Sequence, residues 1–138
     1  MDKSEVLAAI NAGNKNTLME ALGIEFTDAS EGYTEAKMPV DSRTQQPMGL
    51  LHGGATAALA ETLGSVGSHM LIDRTTEATV GIEINANHMK GVKSGWVTGK
   101  AQIQHKGRKL HVWNIDVYDE HENKIAVCRL TNMIIQKK

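Results

Sequence analysis

A single cysteine, Cys128, leaves no possibility of an intrachain disulfide and fits a reducing compartment. The N-terminal "MDKSEVLAAI" lacks the apolar core of a secretory leader, and no run approaches the roughly 18 apolar residues that span a bilayer. A cytoplasmic protein with no membrane partner is therefore expected. No Pro/Gly/Ser-rich linker, repeat or low-complexity stretch interrupts the 138 residues, so 1–138 reads as one domain. Aromatic residues are scarce (two Trp, two Tyr, one Phe), and Leu, Ile, Val, Met and Ala must fill the core. A net charge of −1 gives no bulk attraction for nucleic acid or membrane. Acidic residues are missing altogether between Ile84 and Ile115, where Lys90, Lys93, Lys100, Lys106, Arg108 and Lys109 fall. The chain is balanced as a whole and carries one basic segment.

What is present divides into short helices, strands and one long helix. "EVLAAINAG" and "KNTLMEALG" read as short helices within about 4–22, with Ser4 and Asn14 as expected N-caps and Gly13 and Gly23 as stops. "IEFTDAS" and "GYTEAKMPV" read as two strands joined at Glu31-Gly32. After a polar loop, roughly Gly54 to Ile72 predicts a helix. Four β-like runs follow: "ATVGIEINANHM", "GWVTGKAQIQH", "KLHVWNIDVYD" and "KIAVCRLTNMII". Alternation is clear in three of them, with Val97/Gly99/Ala101, Trp113/Ile115/Val117 and Ala126/Cys128/Leu130 sharing faces. Six strands and one long helix predict an α+β fold, an antiparallel sheet wrapped around that helix.

The long helix holds an anomaly. On a helical wheel Ala55, Ala58, Leu59, Thr62, Val66 and Met70 share one face, expected to bury on the sheet. Gly54, Ala57, Glu61, Gly64, Ser65 and Ser68 share the other, and all but Glu61 are small. An exposed face normally carries Lys, Glu and Gln instead. Interior glycines at 64 and 67 each cost about 1 kcal/mol of helix stability, which implies close approach by another backbone or a ligand. A carboxylate in such a crevice is a candidate nucleophile or general base.

The preceding His52-Gly53-Gly54 opens the helix, where unpaired N–H groups meet the positive end of the dipole. Glycine lets a substrate oxygen come close to that backbone, as an oxyanion donor requires. Gly53 and Glu61 are eight residues apart, about 12 Å along one helix, yet both must lie about 3 Å from one reacting carbonyl. One chain cannot meet that condition. Two antiparallel helices across a two-fold axis can, which predicts a homodimer with two shared active sites.

"QQPMGLLHGGATAALAETLGS" followed by "VGIEINANHMK" resembles the hotdog-fold acyl-CoA thioesterases. The resemblance runs from about Ile24 to Ile135 and is nearest the branch of 1,4-dihydroxy-2-naphthoyl-CoA hydrolases, 4-hydroxybenzoyl-CoA thioesterases and phenylacetate-pathway thioesterases. It implies the hotdog fold, hydrolysis of an aromatic acyl-CoA, assembly of dimers into a homotetramer, and menaquinone biosynthesis as one context. No cofactor is implied, since CoA is part of the substrate. The Gly53 N–H would polarise the thioester carbonyl, with Gln46 and His52 helping to hold it. Glu61 of the second chain would act as nucleophile or general base, and Ser65 would assist with water or product release.

The resemblance also gives the basic segment a role. Gly81, His88, Met89, Lys90 and Gly91, with His105, Lys106, Gly107 and Arg108, match positions that hold the CoA nucleotide, whose phosphates suit cations and N–H groups. Arg108 departs from the small hydroxyl residue frequent there. Met48, Leu50, Ser68 and Met70 fall near the expected acyl group. Lys93 and Lys100 read better as solvated edge lysines.

Other chemistries fit less well. Six scattered histidines without a cysteine pair give no metal site. Cys128, on an alternating run, reads as a buried thiol, and "GSVGS" lies inside the helix rather than at a strand-to-helix elbow. The alternatives that stay open are a non-catalytic acyl-CoA-binding protein and a thioesterase for medium-chain acyl-CoA or an aryl carrier protein.

Overall fold

The alternating segments pair into one six-stranded antiparallel sheet in the computed structural model, which describes residues 1–138. The strands are β1 (Glu25–Ser30), β2 (Tyr33–Pro39), β3 (Glu77–His88), β4 (Trp96–Lys106), β5 (Leu110–Asp119) and β6 (Lys124–Gln136), in the order β1-β2-β4-β5-β6-β3. Helices α1 (Lys3–Gly13) and α2 (Leu18–Leu22) precede the sheet, and α3 (Gly53–His69) crosses its inner face. This is the α+β architecture expected from the pattern. No helix is long and apolar enough to cross a membrane.

The N-terminal caps differ from expectation. Asp2, not Ser4, caps α1 by accepting the Glu5 N–H at 2.9 Å. Its charged oxygen is the stronger acceptor at the positive helix end. Asn14 does not start α2. It ends α1, is buried, and donates its side-chain N–H to Ile24 O at 3.4 Å. Thr17 precedes α2, and Gly23 ends it at φ 76° as expected. Asn11 then closes the outer edge of β1: its amide donates to Phe26 O at 3.1 Å and accepts the Phe26 N–H at 2.8 Å. The opposite edge strand, β3, has no such cover.

The helix meets the sheet through a different face than the wheel suggested. Ala55, Thr56, Leu59, Ala60, Leu63, Gly64, Gly67 and Ser68 are buried, whereas Ala58, Thr62, Val66 and Met70 stay partly exposed. The reason is the bulk opposite. A Cβ on Gly67 would strike the Trp113 indole, and one on Gly64 would stand 2.5 Å from Leu130 Cδ2. The interior glycines therefore seat this chain's own β5 and β6 side chains, not a second backbone. Trp113, Leu130, Leu59 and Leu63 are fully buried in return. Each contributes about 1.5–3 kcal/mol, enough to offset the glycine cost of about 1 kcal/mol apiece.

Candidate active site

The polar loop before α3 is held from several sides, and this positions the first group of candidate residues. The Thr44 hydroxyl donates to Pro39 O at 2.7 Å, and the His52 and Leu51 N–H groups donate to Thr44 O and Val92 O at 2.8 and 2.7 Å. Within it, the Gln46 side-chain oxygen accepts the Met48 N–H, and the turn closes through Gly49 at φ 80°. With that oxygen engaged, Gln46 offers its Nε2 hydrogens as donors. The His52 Nδ1 accepts the Gly54 N–H at 2.7 Å, so the neutral ring carries its proton on Nε2.

The Gly53 N–H stands at the first helical position, where no intrahelical acceptor exists, at the positive end of the dipole. The lack of a Cβ at position 53 leaves room for the His88 ring, whose Nε2 would lie 2.9 Å from one. The resulting groove encloses about 430 Å³ and is lined by Gln46, Gly53, His88, Met89, Lys90 and Gly91 among others. Two N–H donors, from Gln46 and Gly53, thus share one groove, an arrangement that suits an oxygen gaining negative charge.

Lys90 is not a free cation there. Its Nζ lies 3.4 Å from Asp119 Oδ2, and the Asp119 side chain is 8% exposed. Burial alone would raise the Asp119 pKa, but it is outweighed. Hydrogen bonds from the Asn123 main chain and side chain, the His121 N–H and Lys90 hold the carboxyl at about 2.

Glu61 and Ser65 lie elsewhere, in a second groove of about 390 Å³ between α2 and α3. Met19, Ala58 and Val66 give it apolar walls. Glu61 is half-buried and makes no ion pair. Its Oε2 rests over Gly81 of β3, where a Cβ would approach it to 2.7 Å. Gly81, expected beside a nucleotide, thus backs the carboxylate of its own chain.

Sheet register separates the residues matched to CoA binding into two clusters. Lys106, His111, Asn132 and Gly81 form one row across β4, β5, β6 and β3. The exposed turn holding His105, Lys106, Gly107 and Arg108 is therefore at the Gly81 end, and none of its cations forms an ion pair. His88 pairs with Ala126 at the other end of β3, seven residues on, or about 23 Å along the strand.

Ser68 corrects an expectation. It does not face either groove but is fully buried, bonded to His111, Trp113 and Asn132, because the helix is rotated to seat Trp113. Met48 is exposed. Cys128 is buried, and its thiol is pushed up to about 11, by burial first and then by the Asp116 carboxylate, so it is no nucleophile at neutral pH. Sequence reasoning missed Asp119 and Asn132. Asn132 had a visible signal: it stands between Leu130 and Ile134 on the inward side of an alternating strand.

The chain is similar to several known proteins. The Thioesterase superfamily model matches residues 48–126. ComA2 of Bacillus subtilis is 53% identical over 123 residues, covering 89% of this chain and 98% of that protein. A protein named proofreading thioesterase EntH, from Klebsiella pneumoniae, is 47% identical over 129 residues, covering 94% of this chain and 93% of its own. The crystal structure of a mutant of thioesterase PA1618 from Pseudomonas aeruginosa superposes with a TM-score of 0.93 at 43% identity, covering 95% of this chain and 94% of that one.

Proposed function

This chain belongs to the thioesterase superfamily, a hotdog-fold thioester hydrolase, and from that premise we propose that it hydrolyses an aromatic acyl-CoA at sites shared between two chains. The observation that carries the proposal is the separation of the two grooves. The Gly53 and Gln46 N–H donors occupy one without a carboxylate, and the Glu61 carboxylate occupies the other without an N–H donor beside it. Neither groove alone can both hold a thioester oxygen and attack its carbon.

A second copy resolves this. β3 ends the sheet with an unpaired edge, and Val80 and Ile82 on it are 41% and 51% exposed. Pairing that edge with its own copy in antiparallel sense would bring the Gly81 end of one strand toward the His88 end of the other. Gln46, His52 and Gly53 of one chain would then face Glu61 and Ser65 of its partner. The free cations of the 105–108 turn would join His88 to Gly91 around the nucleotide phosphates. Two such dimers would form the homotetramer.

In the reaction, the Gly53 N–H and Gln46 Nε2 stabilise the negative charge that develops on the carbonyl oxygen. Glu61 attacks the carbonyl carbon or takes a proton from the attacking water. The apolar walls near Glu61, from Met19 and Val66, suit a flat acyl group. A second reading is removal of a wrongly loaded acyl group, for example from an aryl carrier protein, and the word proofreading in the name of one similar protein suits it.

The test offers purified protein aryl-CoA, fatty acyl-CoA and aryl carrier protein thioesters while free thiol is followed. Fastest release from an aryl-CoA, falling by about a thousandfold or more in Glu61→Ala, is the expected result. Equal turnover by wild type and Glu61→Ala defeats the proposed role of Glu61. Binding without hydrolysis defeats catalysis by this site.

A further inference from the structure

Only one buried side-chain oxygen or nitrogen in the molecule lacks a hydrogen-bond partner: Oδ1 of Asn132. The residue is fully buried, on the inward side of β6 and in register with Gly81. Its amide orientation is set by neighbours with fixed roles. Gly64 O can only accept, and it lies 3.2 Å from Nδ2. Trp113 Nε1 can only donate, and it donates to Ser68 Oγ at 2.8 Å. Ser68 Oγ also receives Nδ2 of Asn132 at 2.9 Å, which uses both its lone pairs. Its own proton then goes to His111 Nδ1, 2.9 Å away. Reversing the amide would set its oxygen against Gly64 O, so Oδ1 must be the atom left over.

That atom faces the carboxylate. Oδ1 lies 3.6 Å from the point where a Cβ on Gly81 would stand, and Glu61 Oε2 lies 2.7 Å from the same point. The two oxygens thus lie no more than about 6 Å apart beside Gly81, a separation one water can bridge. Two acceptors around one space match a donor with two hydrogens, and a buried acceptor left unused is costly to keep.

We infer that Asn132 is a positioning residue for the hydrolytic water, which donates one O–H to Glu61 and the other to Asn132 Oδ1. This rests on the proposed role of Glu61, in its general-base form. Held by both hydrogens, the water turns a lone pair toward the thioester carbon. The new C–O bond forms as the water's proton passes to Glu61 and the carbonyl electron pair moves onto oxygen. The C–S bond then breaks, the thiolate takes the proton from Glu61, and the free acid remains. The Gly64 carbonyl, which can only accept, keeps the Asn132 amide from turning over.

Asn132→Thr and Asn132→Val are nearly isosteric, both suit a strand, and differ by one acceptor. With an aryl-CoA, the Val variant should show a kcat about ten- to a hundredfold below the Thr variant, with KM within about twofold. Equal kcat values overturn the inference. Should the Val variant not fold, Asn132→Asp decides: a second carboxylate at this space should move the acid limb of the kcat–pH profile upward, and an unmoved limb overturns it. His111→Leu cuts the far end of the same network and should lower thermal stability while retaining kcat. A kcat loss there equal to that of Asn132→Val would leave Asn132 a structural role only. Glu61→Gln is measured alongside. Wild-type turnover in that variant defeats the role of Glu61 itself, whereas an inactive Glu61→Gln with equal Thr and Val variants defeats only the role of Asn132.

Discussion

Co-expression of Gln46→Ala and Glu61→Ala chains asks directly whether each active site is drawn from two chains. Gln46→Ala removes one of two donors in its groove, a loss worth about a hundred- to a thousandfold in kcat, and Glu61→Ala costs at least as much. Each variant alone should therefore retain about 1% of activity or less. Both substitutions are structurally mild, since Glu61 has no ion pair and the Gln46 side chain serves one exposed turn. In a random mixture about half of the dimers are mixed, and each of these carries one doubly substituted site and one intact site. About a quarter of all sites are then intact, and about 25% of wild-type thiol release should return. Differently tagged chains, purified through both tags, should reach about half. If Glu61 served the Gly53 groove of its own chain, no site in a mixed dimer would be intact. Activity no greater than the mean of the two parents would refute the shared site.

Gly81→Ala should fold but lose kcat, because its Cβ would press on Glu61 Oε2 from 2.7 Å; wild-type kcat would show the carboxylate is used in another position. Replacing Lys106 and Arg108 by Ala should raise KM for an acyl-CoA several-fold and leave an acyl-pantetheine, which lacks the nucleotide phosphates, unchanged. Gly67→Leu should destabilise by about 1–3 kcal/mol in denaturant titration, since the new side chain must displace the Trp113 indole. Asp119 has a carboxyl held at about 2, below its unfolded value of 3.8, so its stabilisation is present above about pH 4 and is lost as pH falls toward 2. Asp119→Asn should remove that part of the acid dependence, as unfolding at neutral pH and at pH 3 would show.

The strands were legible because residue alternation records burial directly, and Trp113, Ile115 and Val117 face inward as their spacing requires. The start of α3 was legible because the His52-Gly53-Gly54 turn opens it, whereas the helix stops at His69, short of the expected Ile72. The buried face of that helix was not. Glycines at 64 and 67 look alike whether they admit a second backbone or this chain's Trp113, and only the packing distinguishes these. Ser4 and Asn14 failed as caps for a similar reason: several polar residues near a helix end can cap it, and tertiary bonds such as Asn14 to Ile24 choose among them.

By itself the sequence determined the α+β plan, the donor turn at Gly53, the lone carboxylate at Glu61 and the distance between them. These depend on local periodicity and on the fixed rise of a helix. Tertiary structure decided what surrounds each group. It put Ser68 into the core, tied Lys90 to Asp119, set Gly81 behind Glu61 and left Asn132 Oδ1 facing that carboxylate. Register between strands far apart in the chain makes those neighbours, and no local pattern encodes it.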